Sequence, residues 1–169
     1  FITHCDSDDW VDTSMYLEMY ETAVRENADV VICDFVVTDS DTTNIRITAC
    51  HAKTPEQFME NCLFQRDSWS LCNKFFRREI YYNIEYPQFS MGEDLATTTQ
   101  LFLKVKKMYY IPKTFYYYYQ NNNSTIHQTS EEVIVRKFHQ LQDNTNIVIN
   151  HLEKSSRFAQ IIANVKQLL

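Results

Sequence analysis

The sequence predicts an α/β fold built on a mixed sheet, and three stretches carry that prediction. Residues 28–37 are almost continuously apolar and β-branched, which is typical of a strand buried on both faces. Residues 54–56 read Thr-Pro-Glu, a cap followed by proline at the first helical position and an acid, which indicates the start of a helix. Residues 1–5 lean apolar and lead into acids, as strands do where an open α/β sheet presents a site at its edge.

The other elements follow from hydrophobic spacing and from cap and turn residues. Asp12 or Thr13 can cap a first helix. Its amphipathic pattern runs through Met15, Leu17, Met19, Tyr20, Ala23 and Val24. We predict helices over residues 13–26, 54–64, 93–105, 131–151 and 158–169, with a helical turn over 79–83. We predict strands over residues 1–5, 28–37, 45–49, 73–78, 108–111 and 114–119, the last two separated by Pro112.

Size and composition indicate one globular domain with no role in nucleic-acid binding. The 169 residues are 44% hydrophobic and 22% charged, which is enough to form a core. The net charge of −6 argues against nucleic acid, whose partners present basic surfaces. No apolar run reaches membrane-span length and no signal peptide is recognisable, so we expect a cytoplasmic protein. The five cysteines are scattered without a Cys-x-x-Cys pair, which predicts reduced thiols.

Four segments, in this order, carry a resemblance to a known family. They are residues 6–10 (Asp-Ser-Asp-Asp-Trp), Trp69 with residues 73–79 (Asn-Lys-Phe-Phe-Arg-Arg-Glu), residues 92–95 (Gly-Glu-Asp-Leu) and the tyrosine-rich residues 116–125. The chain resembles the family 2 glycosyltransferases of bacteria, inverting enzymes with the GT-A fold. The resemblance implies the C-terminal portion of a three-layer GT-A fold with a mixed sheet, plus a C-terminal helical tail. It divides the chain into a metal and acceptor half, residues 1–127, and a helical extension, residues 128–169.

The resemblance also implies that one part of the domain is missing. Family members open with a strand and a Val-Pro-x-Tyr-Asn segment, and a second strand ends in Asp-Asp-Gly-Ser; these parts hold uracil and ribose. Neither segment occurs here, and the chain has a single glycine, Gly92, where nucleotide-binding loops use several. We therefore expect the N-terminal nucleotide-binding half to be absent, which would leave the chain inactive by itself.

Asp6 and Asp8 resemble the Asp-x-Asp motif of the family, which implies a divalent cation, Mg²⁺ or Mn²⁺. Asp8 is the expected direct ligand, and Asp6 contacts the ribose or reaches the metal through water. The cation would neutralise the diphosphate leaving group of a nucleotide-diphosphate sugar donor. The alternative is an acidic strand-to-helix turn in which Asp9 or Asp12 is simply a cap.

Glu93 and Asp94 resemble the Glu-Asp motif of the family. An inverting transfer needs one base that takes the proton from the acceptor hydroxyl, and Asp94 is the candidate. Glu93 is then its neighbour or an acceptor-binding residue. The alternative is helix capping, because acids at a helix N-terminus are favoured by the helix dipole.

The segment around Trp69 resembles the wall that binds the acceptor and the diphosphate. Trp69 and Asn73 are candidates for acceptor binding, and Lys74 is a candidate for the diphosphate of the donor. The alternatives are a core tryptophan and a solvated lysine. His127 reaches the metal in some members of this fold, although a lone histidine is usually not a ligand.

The sequence therefore predicts transfer of a sugar, of the hexosyl or hexosaminyl class, from a nucleotide-diphosphate sugar to a glycan or lipid-linked acceptor with inversion. The absence of a Gln-x-x-Arg-Trp signature favours transfer of single sugars. The final helix fits peripheral contact with the inner face of the membrane and packing on a partner equally well. Two other classes stay open: a non-catalytic binding or assembly module, and a phosphohydrolase of the haloacid dehalogenase type with Asp6 as nucleophile.

Overall fold

The computed structural model describes residues 1–39, 44–120 and 130–166, with side chains up to residue 163. It divides into two compact units: unit 1 comprises residues 1–82 and 105–127, and unit 2 comprises residues 83–104 and 128–169. Residues 83–104 thus group with the C-terminal helices. The predicted boundary after His127 lies outside the described residues and stays a prediction.

Unit 1 is built on a mixed sheet, as the sequence predicts. Its strands are β1 (Trp10–Val11), β2 (Val30–Thr38), β3 (Asn44–Ile47), β4 (Lys74–Phe76) and β5 (Met108–Tyr119). The order is β1-β5-β2-β3, and β4 also pairs with β2. Among the strands that the structure describes, β2 and β5 run parallel and the other pairs are antiparallel. The α/β class and the mixed sheet are therefore confirmed.

The helices of unit 1 are α1 (Met15–Arg25), α2 (Pro55–Leu63) and a 3₁₀ turn (Arg78–Tyr81). Thr54 caps α2 as predicted, since its hydroxyl accepts a hydrogen bond from the Gln57 backbone N–H at 3.2 Å. The buried positions of α1, Met15, Met19 and Ala23, pack in one cluster with residues of β2 and β5. This cluster holds the start of α1 close to β5, where the candidate site lies.

The amphipathic pattern predicted for α1 is confirmed at three positions, which are buried, and wrong at three others. Leu17, Tyr20 and Val24 are 61%, 50% and 54% exposed. The buried stripe has the spacing i, i+4, i+8 through Met15, Met19 and Ala23, so the neighbouring apolar residues fall outside it.

Two strand predictions are corrected by the pairing. Residues 1–5 contribute a single bridge, between Ile2 and Phe76, instead of a strand. Residues 108–119 form one strand and not two, because the register with β2 shifts between Cys33 and Phe35, where Pro112 lies opposite. A bulge accommodates proline, which has no N–H to give to the ladder, without ending the strand.

Unit 2 contains α3 (Glu93–Phe102), α4 (Glu131–Glu153), a 3₁₀ turn (Ser156–Phe158) and α5 (Ala159–Lys166). Helix α4 packs on α3 and on the elements that follow it, and its buried residues are Asn144, Val148 and Leu152. In the part of the chain that the structure describes, no helix is long and apolar enough to cross a membrane.

Candidate active site

The Asp6–Asp9 segment forms a turn that is fixed to β5 by one tyrosine. The Asp9 N–H donates to the Asp6 carbonyl at 3.2 Å and closes the turn. The Tyr116 hydroxyl donates to Asp9 Oδ2 at 2.5 Å and accepts from the Asp6 N–H at 3.1 Å. The Tyr119 N–H donates to Asp9 Oδ1 at 2.8 Å. Asp9, which the sequence interpretation treated as a cap, is instead the anchor of the turn.

This anchoring leaves Asp6 and Asp8 exposed. Neither carboxylate makes a hydrogen bond or ion pair within residues 1–39, 44–120 and 130–163. Asp12 fixes the turn before α1, since its Oδ1 accepts from the N–H of Ser14, the N-cap residue, at 2.8 Å and from the Ser14 hydroxyl at 2.7 Å. These bonds lower the pKa of Asp12. Neither Asp9 nor Asp12 is the cap of α1, so the capping alternative is wrong for both, and it gives no role to Asp6 or Asp8.

The charges of the turn act on Asp9. Its partial burial raises the pKa of the carboxyl, and the negative charges of Asp6 and Asp8 add to that rise. The hydrogen bonds from Tyr116 and Tyr119 act in the opposite direction. Burial and the bond to Asp9 also raise the pKa of the Tyr116 hydroxyl, so Tyr116 stays a neutral donor. A cation bound at this turn would reduce the repulsion between its three carboxylates.

The oxygen atoms at this turn fit a cation that takes most of its ligands from substrate phosphates and waters. Among the described residues, no group of three or more His, Cys, Asp or Glu side chains is placed to hold a metal ion. Asp6 and Asp8 can supply one or two oxygens. Mg²⁺ is commonly bound in this way, through one or two carboxylates together with substrate phosphates and waters. A dedicated protein cage is not what these residues form.

Aromatic residues flank the turn on its exposed side. Trp10 pairs with Tyr117 across β1 and β5, and the two rings stack at 5.5 Å with an angle of 7°. Trp10 is 41% exposed, whereas Tyr116 is fully buried. Cross-strand neighbours on one face of a sheet meet in this way, and alternation sends Tyr116 to the other face. Trp10 is part of the segment 6–10 that carries the resemblance, but the sequence interpretation assigned it no role of its own.

Lys74 lies in the core, so the solvated-lysine alternative is wrong. Its side chain is fully buried. The ammonium donates to the carbonyls of Ser68 and Ser70, and to Asn73 Oδ1 at 3.0 Å. It also lies 5.4 Å from the ring centroid of Phe58. With these donors engaged, direct binding of a diphosphate would require the segment to rearrange, and that role stays a prediction.

Asn73 is also fully buried, and its amide donates to the Cys33 carbonyl of β2 at 2.6 Å. Trp69 is partly buried and lies between Ser68 and Ser70, whose carbonyls Lys74 holds. In this arrangement Asn73 and Lys74 fix the segment that carries Trp69. Whether Trp69 and Asn73 bind an acceptor is not tested by these contacts and stays a prediction.

Glu93 and Asp94 open α3 in unit 2, with Glu93 exposed and Asp94 partly buried. Gly92 precedes them in the left-handed conformation, at φ 82°. The Asn144 amide holds this loop by donating to the carbonyls of Phe89 at 2.9 Å and Met91 at 2.8 Å. Asn144 was missed in the sequence because a buried amide on a long helix has no motif. Asp8 belongs to unit 1 and Asp94 to unit 2, and the role of Asp94 as a base stays a prediction.

Gly92→Ala should lower the free energy of unfolding by about 1–3 kcal/mol. A side chain is strained at positive φ, by about 1–2 kcal/mol, and a Cβ here would lie 2.9 Å from Leu141 Cδ1. Urea unfolding measures the loss. The double variant Gly92→Ala/Leu141→Ala removes the close contact and should recover that part only. If the free energy of unfolding of Gly92→Ala lies within about 0.5 kcal/mol of the parent value, residue 92 does not need the left-handed conformation.

The α/β fold with its mixed sheet is similar to that of solved glycosyltransferase domains. The chain is similar to Staphylococcus aureus TarS, a glycosyltransferase, in three solved structures. Residues 1–349 with UDP-GlcNAc match at 14% identity and a TM-score of 0.58, over 94% of this chain and 47% of that one. The UDP complex matches at 15% identity and a TM-score of 0.56, over 84% of this chain and 39% of that one. The structure of TarS itself matches at 16% identity and a TM-score of 0.55, over 92% of this chain and 29% of that one.

These likenesses show the fold alone, because all three identities are below 25%. The chain spans less than half the length of each TarS structure. No family model and no curated protein matches the sequence. Membership of family 2 is therefore not shown.

Proposed function

We propose that this chain forms the metal-binding and acceptor-binding part of an inverting, family 2 type glycosyltransferase. Its donor is a nucleotide-diphosphate hexose or hexosamine, and its acceptor is a hydroxyl of a glycan or lipid-linked saccharide in the cytoplasm. The observation that carries the proposal is the Asp6–Asp9 turn. Tyr116 and Tyr119 occupy Asp9, and Asp6 and Asp8 are left exposed on a glycosyltransferase-like fold.

The residues divide the work as follows. Asp8, with Asp6 beside it, holds Mg²⁺ or Mn²⁺, whose positive charge would stabilise the departing diphosphate. Tyr116 keeps the turn in place through its two hydrogen bonds, so the carboxylates are preorganised. Asp94, with Glu93 beside it, takes the proton of the acceptor hydroxyl as a general base. Trp69 is positioned by Lys74 and offers a ring face to a sugar.

Mn²⁺ binding in the presence of UDP tests this proposal. We expect Mn²⁺ and the diphosphate of UDP to bind the 169-residue chain together, without contacts to the uracil, as measured by loss of the electron paramagnetic resonance signal of free Mn²⁺. Asp8→Asn should weaken this binding at least about ten-fold, or about 1.4 kcal/mol, because one charged ligand is lost. Asp143→Asn, which changes an exposed carboxylate on α4, is the matched control and should bind as the parent does.

Equal binding by Asp8→Asn and Asp143→Asn would sink the assignment of the metal site. Phosphate release from a simple aryl phosphate, abolished by Asp6→Asn, would favour the phosphohydrolase instead. A chain that binds glycan but neither Mn²⁺ nor UDP would be the non-catalytic module.

A further inference from the structure

A cavity of about 480 Å³ opens in unit 1 at the start of β5. Its walls come from the segment after β3 and from the first residues of β5. The lining residues are Thr48, Cys50, His51, Ala52, Lys53, Met108, Tyr109 and Tyr110. Tyr110 here and Tyr117 beside the acidic turn are seven residues apart on one strand, which is roughly 20 Å at about 3.3 Å per residue. The cavity is therefore separate from the proposed metal site.

A buried carboxylate orients the histidine of this cavity. The side chain of Asp67 has no exposed surface, whereas that of His51 is 59% exposed. Asp67 Oδ1 accepts from the His51 backbone N–H at 2.7 Å and lies 2.8 Å from His51 Nδ1. Asp67 Oδ2 accepts from the Asn61 amide at 2.9 Å. An ionised carboxylate can only accept hydrogen bonds, so the His51 Nδ1 that faces it must carry the proton. This contact fixes the tautomer of the imidazole.

The fixed tautomer leaves His51 Nε2 for a ligand. Across the described residues Nε2 makes no hydrogen bond or ion pair. A neutral ring presents a lone pair at Nε2, and a protonated ring presents an N–H. A group that carries both an acidic hydroxyl and negative oxygens can bind either form. Phosphate and phosphomonoesters have this property near neutral pH, since their second pKa is about 6.

The charges around the cavity favour an anion. Lys53 lines it together with His51. The nearest buried acids are already engaged: Asp67 by His51 and Asn61, and Asp34 by Arg46 at 2.6 Å. The Tyr110 hydroxyl also donates to Asp34, at 2.6 Å, so this tyrosine contributes its ring as a wall. Lys53 therefore supplies a positive charge to the lining, while the carboxylates of Asp67 and Asp34 are taken up by other partners.

We propose that this cavity is a binding site for a phosphate group, separate from the acidic turn. His51 Nε2 and the Lys53 ammonium are its polar ligands, and Asp67 is a positioning residue that holds the imidazole. The phosphate comes from a soluble phosphomonoester or from a lipid headgroup. The proposal does not depend on sugar transfer.

Ring NMR of the ¹⁵N-histidine-labelled 169-residue chain tests the site directly, with EDTA present to exclude metal effects. We expect His51 in the Nδ1–H form, and a saturable shift of its Nε2 resonance on titration with inorganic phosphate. Chloride at matched ionic strength should give no such shift. His139, an exposed histidine on α4, is the internal control in the same spectra. Lys53→Met should weaken phosphate binding at least about five-fold, while Lys154→Met should not change it.

Two further arms identify the source of the phosphate. Binding of glycerol 3-phosphate without binding of vesicles supports a soluble ligand. A His51 response only to vesicles that contain phosphatidic acid supports a lipid headgroup. An Asp67→Asn variant that keeps its melting temperature but loses the fixed tautomer and the phosphate shift supports the positioning role. A phosphate response equal to that of chloride, or unchanged affinity in Lys53→Met, overturns the proposal.

Discussion

Asp34→Ala is expected to lower the free energy of unfolding by about 3–5 kcal/mol, the largest loss that we predict for a single substitution. Asp34 on β2 is fully buried. Its carboxylate accepts from Arg46 at 2.6 and 3.0 Å, from the Ala49 N–H at 3.0 Å and from the Tyr110 hydroxyl at 2.6 Å. Arg46 is half exposed, so the loss comes from the hydrogen bonds to the buried carboxylate, which are worth about 1.5–3 kcal/mol each when the acceptor is charged. The variant also leaves the Ala49 N–H unpaired at a buried position.

The same carboxylate joins three strands. It lies on β2, Arg46 lies on β3 and Tyr110 lies on β5. Chemical denaturation followed by circular dichroism measures the loss. Asp34→Asn retains one acceptor oxygen and should lose less than Asp34→Ala. Asp143→Ala, at an exposed position, should change stability by no more than about 0.5 kcal/mol. A loss below about 1 kcal/mol for Asp34→Ala would mean that these bonds hold the sheet much less than their burial indicates.

Local sequence patterns correctly predicted the helices and strands that depend on residues close together in the chain. The apolar run that became β2 and the Thr-Pro-Glu signal that became the start of α2 were both confirmed. The same reasoning divided β5 at Pro112, because the bulge that accommodates this proline depends on pairing with β2, some 80 residues earlier. Pairing partners at such separations leave no local trace in a sequence.

The acids of the candidate site could be selected from the sequence, but the residue that holds them in place could not. The motif resemblance selected Asp6 and Asp8, and the structure leaves both exposed. Tyr116, which fixes the turn, is one of four consecutive tyrosines, and nothing in that run distinguishes it from its neighbours. For Lys74, the alternative of a solvated side chain is wrong. The carbonyls that bury its ammonium become visible only in three dimensions.

Tyr116→Phe should lower the free energy of unfolding by about 1–3 kcal/mol at neutral pH and weaken Mn²⁺ binding. The variant keeps the buried ring but removes the donor to Asp9 and the acceptor for the Asp6 N–H. A partly buried carboxylate that loses a hydrogen bond retains its desolvation cost, which sets the expected loss. Without its anchor, the turn no longer holds Asp6 and Asp8 in one arrangement, so the affinity for Mn²⁺ with UDP should fall.

The loss should depend on pH with a definite sign. Burial raises the pKa of Asp9 in the folded protein, so the folded state binds more protons than the unfolded state above the ordinary pKa of 3.8. The contribution of Asp9 to the free energy of unfolding therefore falls as pH rises from 3.8 to the folded pKa of Asp9. The Tyr116 bond lowers the folded pKa, and the variant should therefore have a higher folded pKa and a wider pH range over which this contribution falls. The difference between parent and variant should be small near pH 3 and complete at pH 7.

Urea unfolding at a series of pH values measures this difference, and Tyr118→Phe is the matched control. Tyr118 is two residues further along β5 and partly buried, and its hydroxyl makes no hydrogen bond within the described part of the chain. Its loss should be small and independent of pH in the acid range, because no carboxylate loses a donor. A Tyr116→Phe difference that is the same at pH 3 and pH 7 would show that its cost lies in packing. In that case the carboxylate of Asp9, and with it the turn, would not depend on the Tyr116 hydroxyl.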